Sequence, residues 1–416
     1  MELRRVVITG LGALTPIGND LQTYWKNLLS GVSGAGLITH FDPTHFKTKI
    51  ACEVKDFDIL QYVDKKDSRK MDLFTQYAVA AADEAINDAK LDEFEELNKR
   101  RVGVIFSSGM GGSTTFYQEA TPLNPEDPKI SPYFITKVIA DISSGHIAIR
   151  HGYMGLNYSI SSACASSANA IADAFTYIRT GKADAIVAGG SEAPINMPGI
   201  TSFSVTRALS TRNDNPQAAS RPFDRDRDGF VMGEGAGALI LEAYDHAVRR
   251  GAKIYAEIVG VGMSADAFHI TLPHPQGIGA CLSMQNALED AGMKPEEVDH
   301  LNMHATSTPA GDLSEINAAQ SLFGNHLKKM ILTANKSITG HLMGASGAVE
   351  AIATTLSLQQ GVIPPTINME NLDEQIDPDL NLTLDKPQQR AIRTAISNSF
   401  GFGGHNTSIL FKKYEA

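Results

Sequence analysis

Tyr158-Ser159-Ile160-Ser161-Ser162-Ala163-Cys164-Ala165-Ser166-Ser167 is a strand-to-helix turn written in small residues. A short strand-like run ends in serines, and from Ala165 to about Arg179 the sequence reads as helix. The cysteine therefore falls at the amino end of a helix. Unpaired N–H groups and the positive end of the helix dipole favour thiolate over thiol there. Its small neighbours leave room for a substrate to reach the sulfur. Free cysteines are otherwise mostly buried, inert small hydrophobes, so this segment alone leaves both readings open.

On either side of this turn, strand-like and helical runs alternate. Val6–Gly10, Val102–Phe106 and Ala185–Ala188 are strand-like and end in glycine- or serine-rich turns, while Phe74–Ala89 is an alanine-rich helical run. Such alternation indicates an α/β protein with largely parallel or mixed sheets. A second part restarts near Arg249-Arg250-Gly251-Ala252, which divides the chain into residues 1–250 and 251–416. It has strand-like Ile254–Val261, Ile331–Ala334 and Thr394–Ser397 and a helical Ile278–Ala291. Near the end of each half a glycine segment leads into a strand. Gly233–Gly237 precedes Ala238–Leu241, and Gly401–Gly404 precedes Ser408–Phe411, which suggests a duplicated unit. No low-complexity linker separates the halves, so they are expected to pack together.

Composition narrows the classes. The 416 residues carry 36 Lys+Arg against 47 Asp+Glu, a net charge of -11, which argues against nucleic-acid binding. No apolar run reaches the length of a membrane span, and the start is too short in apolar residues for a secretory signal. Cys52, Cys164 and Cys281 are far apart and odd in number, which offers neither a disulfide framework nor a Cys-x-x-Cys zinc site. A reducing cytoplasm is the expected compartment.

Three segments of the second half concentrate polar chemistry. His304 follows an apolar run and opens Ala305-Thr306-Ser307-Thr308. Lys336 and His341 lie five apart across Gly340, ahead of an alanine- and glycine-rich helix that carries Glu350. Gly401-Phe402-Gly403-Gly404 is a loop able to present backbone N–H groups and to move. His304 and His341 lack a convincingly spaced third metal ligand. Gly10-Leu11-Gly12 and Gly260-Val261-Gly262 lack the third glycine of a dinucleotide fingerprint, and no Walker A or Gly-x-Ser-x-Gly sequence occurs. A thiol at a helix start, two imidazoles and a glycine loop together suit acyl transfer through a thioester.

These residues resemble the β-ketoacyl-acyl carrier protein synthases, most closely the chain-elongating type II enzymes of fatty acid synthesis. The resemblance runs from Val6–Gly12 to Phe411–Tyr414 and is carried by the Cys164 segment, His304–Pro309, Lys336–His341 and Asn398–Gly404. It implies a thiolase fold: α/β, two similar halves in a five-layer αβαβα arrangement, assembled as a cytoplasmic homodimer without cofactor or metal. It implies a Cys164–His304–His341 catalytic set, with Lys336 positioning His341. The backbone N–H groups of Cys164 and Phe402 would hold an oxyanion, and the Phe402 ring would gate an acyl pocket. Thr306, Thr308 and, more weakly, Thr271 match positions on the phosphopantetheine arm. Met110, Phe203 and Phe400 match positions lining the acyl and substrate site.

The partner implied is acyl carrier protein bearing acyl and malonyl groups. Because such carriers are themselves acidic, docking needs a local basic patch, for which Lys65, Lys66, Arg69, Lys70 and Arg207 are the candidates. Ala305 stands where the family usually has glycine, and its methyl is expected to shift the loop or narrow the pantetheine tunnel. The nearest alternative is a polyketide-type ketosynthase with the same triad. A thiolase would need a second catalytic cysteine, and Cys281 lies in the wrong context. A non-catalytic partner would usually lack the active cysteine.

Overall fold

The computed structural model describes residues 3–415. In the first half five strands, β1 (Val6–Leu14), β2 (Val102–Ser107), β3 (Asn157–Tyr158), β4 (Ala185–Glu192) and β5 (Gly235–Ala243), form a sheet in the order β1-β5-β4-β2-β3. The second half repeats it with β6 (Ala256–Ala265), β7 (His300–Asn302), β8 (Ile331–Thr333), β9 (Thr394–Gly401) and β10 (His405–Lys413), in the order β6-β10-β9-β7-β8. In each sheet the first strand pairs antiparallel with the last, and the other three run parallel to one another. The two sheets meet where β1 and β6 pair antiparallel, with Val6 opposite Ile258. The duplication suspected from the glycine segments is thus a strand-for-strand repeat.

Helices repeat in the same order. The first half has α1 (Leu73–Ala89), α2 (Ile142–His151) and α3 (Ser166–Arg179). The second has α4 (Ile278–Ala291), α5 (Pro309–Phe323) and α6 (Ser346–Gln360). Successive strand residues face opposite sides of a sheet, and both faces here are apolar. Ile186 and Ala188 of β4 join a central core with Ile171 and Phe175 of α3 and Val349 and Ile352 of α6. Ala185 and Val187 face outward onto Ala78, Ala81 and Ala85 of α1. In the second half Ile409 and Phe411 face the central core, while Leu410 joins Met284 of α4 and Ile316 of α5. The result is the expected five-layer αβαβα stack, with α3 and α6 between the sheets. Each fully buried Ile or Phe of that middle layer contributes about 1.5–3 kcal/mol, so the halves are bound by one shared core.

The paired Gly-x-Gly sequences, which fit no nucleotide fingerprint, find their reason here. A Cβ on Gly10 or Gly12 would lie 2.2 or 2.1 Å from the carbonyl oxygens of Ala85 and Ala81 in α1. The equivalents on Gly260 and Gly262 would lie 2.3 and 2.0 Å from those of Ala287 and Ser283 in α4. In both halves the first helix presses its backbone onto the first strand, and only glycine fits. These glycines lie within strands, which is why β1 and β6 run four residues beyond their sequence-read ends at Gly10 and Val261.

Candidate active site

Five residues gather at the carboxyl ends of parallel strands, and four of them line one cleft. Cys164 lies between β3 and α3, on a short 3-10 turn at Ala163–Ala165, with Ala163 at φ 52°. His304 follows β7; Lys336 opens a helical turn after β8, and His341 follows it past Gly340. Phe402 occupies the tight turn between β9 and β10. The cleft, with its solvent-open mouth, spans about 780 Å³ and is lined by Cys164, His304, His341 and Phe402, but not by Lys336.

The thiol departs from the sequence expectation. Helix α3 begins at Ser166, so Cys164 precedes its first turn, and the side chain is buried. Burial pushes the thiol up to about 12, against the opposing pull of Lys336 and of the Phe402 and Cys164 backbone N–H groups. The resting sulfur is a neutral thiol: desolvation outweighs the helix start. The same two N–H groups both point at the Cys164 sulfur. Gly401 makes that convergence possible, because a Cβ there would lie 2.8 Å from the Ser162 carbonyl oxygen and 3.0 Å from the Cys164 nitrogen.

Both imidazoles are buried, and their rings stand 5.4 Å apart at 87°. Burial first, and the nearby Lys336 charge second, hold both well below the ordinary histidine value, so both are neutral at physiological pH. Lys336 Nζ lies 3.3 Å from His304 Nδ1 and 2.5 Å from Glu350 Oε1. It therefore touches His304, whereas the sequence reading placed it on His341. His341 Nδ1 instead meets Ser346 Oγ at 2.9 Å. Glu315 of α5 accepts the backbone N–H groups of His304 and Ala305 at 2.9 and 2.8 Å and the Asn398 amide at 3.0 Å.

Thr306, Thr308 and Thr271 line the cleft together with Phe203 and Phe400. The Thr306 and Thr308 hydroxyls are 3.1 Å apart, and Thr308 caps α5 through the Gly311 N–H. The Phe203 ring packs 5.9 Å from Phe402, tilted, and 5.6 Å from Phe230, edge to face, while Phe400 packs 5.7 Å from His304. Met110 does not line the cleft; its N–H joins Ser108, Gly109 and Gly344 in donating to the buried Glu192 carboxylate. Ala305 is also absent from the lining. Its methyl points into the outer core of the second half rather than into a tunnel, and the residue sits at φ 22°. Backbone strain of that kind costs on the order of 1–3 kcal/mol and explains why glycine suits the position. Cys281 lies in a surface groove apart from the cleft.

Sequence reasoning did not single out Glu315, Ser346 or Phe230, whose ring lies 5.2 Å from His341. Glu315 had one usable signal, a carboxylate in the buried phase of a helix.

Of the basic candidates, Lys65, Lys66, Arg69 and Arg207 are exposed. Lys70 is paired with Asp67 at 2.6 Å. Arg207 adjoins Ala208, which lines the cleft. No described helix is long and apolar enough to cross a membrane.

Residues 3–247 match the family described as beta-ketoacyl synthase, N-terminal domain, and residues 255–370 match beta-ketoacyl synthase, C-terminal domain. The 3-oxoacyl-[acyl-carrier-protein] synthase 2 of Synechocystis sp. is 48% identical over 418 residues, covering 100% of this chain and 99% of that protein. A beta-ketoacyl synthase structure from Burkholderia phymatum superposes with a TM-score of 0.92 at 33% identity, over 99% of this chain and 100% of that one. A type II polyketide acyl-carrier protein in complex with its ketosynthase gives 0.88 at 30% identity, over 100% of both chains.

Proposed function

The chain belongs to the β-ketoacyl synthase family, and on that premise we propose that its cleft performs a decarboxylating condensation that lengthens a fatty acyl chain by two carbons. It is an acyltransferase of the β-ketoacyl-acyl carrier protein synthase type. The observation that carries the reading is the convergence of one thiol and two neutral imidazoles on a single cleft.

In the first half-reaction Cys164 Sγ attacks the thioester of an acyl-acyl carrier protein. The carbon–sulfur bond to the carrier breaks, the acyl group stays on Cys164, and the thiol proton ends on the departing pantetheine sulfur. The tetrahedral oxyanion rests on the Cys164 and Phe402 backbone N–H groups. Such donors act because they are fixed before charge develops. Malonyl-acyl carrier protein then enters and its carboxylate leaves as carbon dioxide, with the bonding pair delocalised into the thioester carbonyl. His304 and His341, uncharged, donate hydrogen bonds to that oxygen. The resulting carbon nucleophile attacks the acyl-Cys164 carbonyl, the bond to sulfur breaks, a 3-oxoacyl thioester leaves, and the released Cys164 thiolate takes a proton from solvent to restore the thiol. Lys336 positions His304 and is itself held by Glu350.

Thr306, Thr308 and Thr271 hold the pantetheine arm. Phe203, Phe400 and the Phe402 ring border the acyl chain, with Met110 acting from behind the lining. Lys65, Lys66, Arg69, Lys70 and Arg207 receive the acidic carrier. The protein acts in the cytoplasm as a homodimer, a reading supported by the exposed apolar Phe116, Ile135 and Ile149 and the edge position of β3. Residues 1–250 supply the nucleophile and 251–416 the imidazoles. The polyketide-type alternative is favoured less, because the fatty acid relative is 48% identical and the polyketide complex 30%.

Release of carbon dioxide from malonyl-acyl carrier protein, measured with acyl-acyl carrier protein primers of increasing length, tests the reading. Stoichiometric 3-oxoacyl product from wild type and none from Cys164→Ala is expected. Chain extension by Cys164→Ala, or extension of free acyl-CoA without carrier protein, would sink it.

A further inference from the structure

We propose that Ser346 is a positioning residue that fixes the tautomer of His341, so that both imidazoles offer their Nε2–H to the same oxygen. The proposal rests on the functional reading above. Ser346 Oγ lies 2.9 Å from His341 Nδ1, and both residues are 2% exposed. Helix α6 shows what its hydroxyls ordinarily do: Thr354, Thr355 and Ser357 each donate to the carbonyl four residues earlier. Ser346 opens the helix and departs from that habit. Among the described residues, its hydroxyl has no hydrogen-bond partner other than His341.

One proton then decides the tautomer. A hydroxyl can donate once, and a neutral imidazole has one N–H and one bare nitrogen. If His341 carried its proton on Nδ1 and donated it to Ser346, the serine proton would be left buried without an acceptor, a costly arrangement. With Ser346 donating to a bare Nδ1, every group is satisfied and the His341 proton sits on Nε2. His304 obeys the same rule through another residue, since Lys336 has only protons to offer its Nδ1. Ser346 and Lys336 lie outside the cleft lining while both rings line it, so the edges bearing Nε2 face the cavity. Two donors on rings at 87° suit the two lone pairs of one carbonyl oxygen.

Nitrogen-15 NMR of histidine-labelled wild-type protein reads the tautomer directly, with the His341 signals assigned by their loss in His341→Ala. A protonated Nε2 and a bare Nδ1 are expected. Ser346→Ala should give a mixture of tautomers and lower decarboxylation about tenfold, the loss of one ordinary hydrogen bond. Acyl transfer to Cys164 and thermal stability should hold, and Ser346→Thr should restore the rate. Protonation at Nδ1 in wild type would overturn the proposal. So would a Ser346→Ala enzyme with unchanged tautomer and rate while His341→Ala is inactive, an outcome that leaves the functional reading standing. Full decarboxylation by His341→Ala would instead overturn the assigned site, and the proposal with it.

Discussion

Lys336 Nζ sits 3.3 Å from His304 Nδ1, although 32 residues separate them in the chain. The same ammonium neutralises the buried Glu350, whose second oxygen has no partner among the described residues. Burial already pushes Glu350 up to about 7 against that ammonium, so removing the lysine leaves a buried, unpaired acid that must take up a proton. Lys336→Met should therefore destabilise the protein by about 3–5 kcal/mol, the usual cost of breaking a buried pair. Adding Glu350→Gln should recover part of the loss. Urea unfolding of the two variants measures both, and a Lys336→Met enzyme as stable as wild type would refute the pairing.

The histidines define the acid limb. Burial and Lys336 depress both below the ordinary value of 6.5. For a depressed group the stabilising difference is present above the unfolded value and is lost as pH falls through the folded value. Unfolding free energy should thus fall steadily as pH drops below about 6.5. Single-turnover decarboxylation should show no inflection at 6.5, because both rings stay neutral there. In Lys336→Met the repulsion from the ammonium is gone, so the acid limb should move toward 6.5. An inflection at 6.5 in the wild type would show a histidine with ordinary solvation.

How much of this was legible in the sequence follows from the range of each interaction. Helices α1 and α4 were readable because alanine-rich periodicity is local, and α4 runs from Ile278 to Ala291 as expected. Cys164, His304 and His341 stand out in the sequence because each carries its own short context, and the fold brings all three to one cleft. The partners do not stand out. Lys336 is five residues from His341, yet the turn after β8 aims it at His304 on the loop beyond β7. Ser346 lay in plain view, but a serine at a helix start has an ordinary capping role, and nothing local shows an imidazole above it. The thiolate expectation failed for a similar reason: a helix start is visible in sequence, while the burial that outweighs it is a product of five packed layers.

Gly401 and Phe402 separate backbone from side-chain roles. Gly401→Ala puts a methyl against the Ser162 carbonyl and the Cys164 nitrogen, so the turn must shift and carry the Phe402 N–H away from the sulfur. Loss of one oxyanion donor typically costs about 100–1,000-fold in rate, and that loss should fall equally on primers of every length. Phe402→Ala keeps the N–H and removes the ring that packs against Phe203. Its rate with short primers should stay within several-fold of wild type while discrimination by chain length weakens. Steady-state rates over a primer series distinguish the two, and identical profiles would show that the ring has no gating role.

The carrier-protein surface is the last test. The chain has a net charge of -11, so an acidic partner must find a local exception. Lys65, Lys66 and Arg69 are exposed and make no ion pair among the described residues, whereas Lys70 already faces Asp67 at 2.6 Å. Their charge is therefore available to a partner, and that of Lys70 is partly cancelled. Replacing all three by Glu should raise KM for malonyl-acyl carrier protein about tenfold or more with little change in kcat, since rim charges act mainly on encounter. The dependence of kcat/KM on ionic strength should flatten in the same variant. Lys70→Glu should have a smaller effect than Lys66→Glu. Malonyl-pantetheine, which lacks the protein, should be used equally well by wild type and triple variant. If KM for the carrier-bound substrate is unchanged, the patch is a solvated face, and docking must be sought around Arg207, beside the cleft.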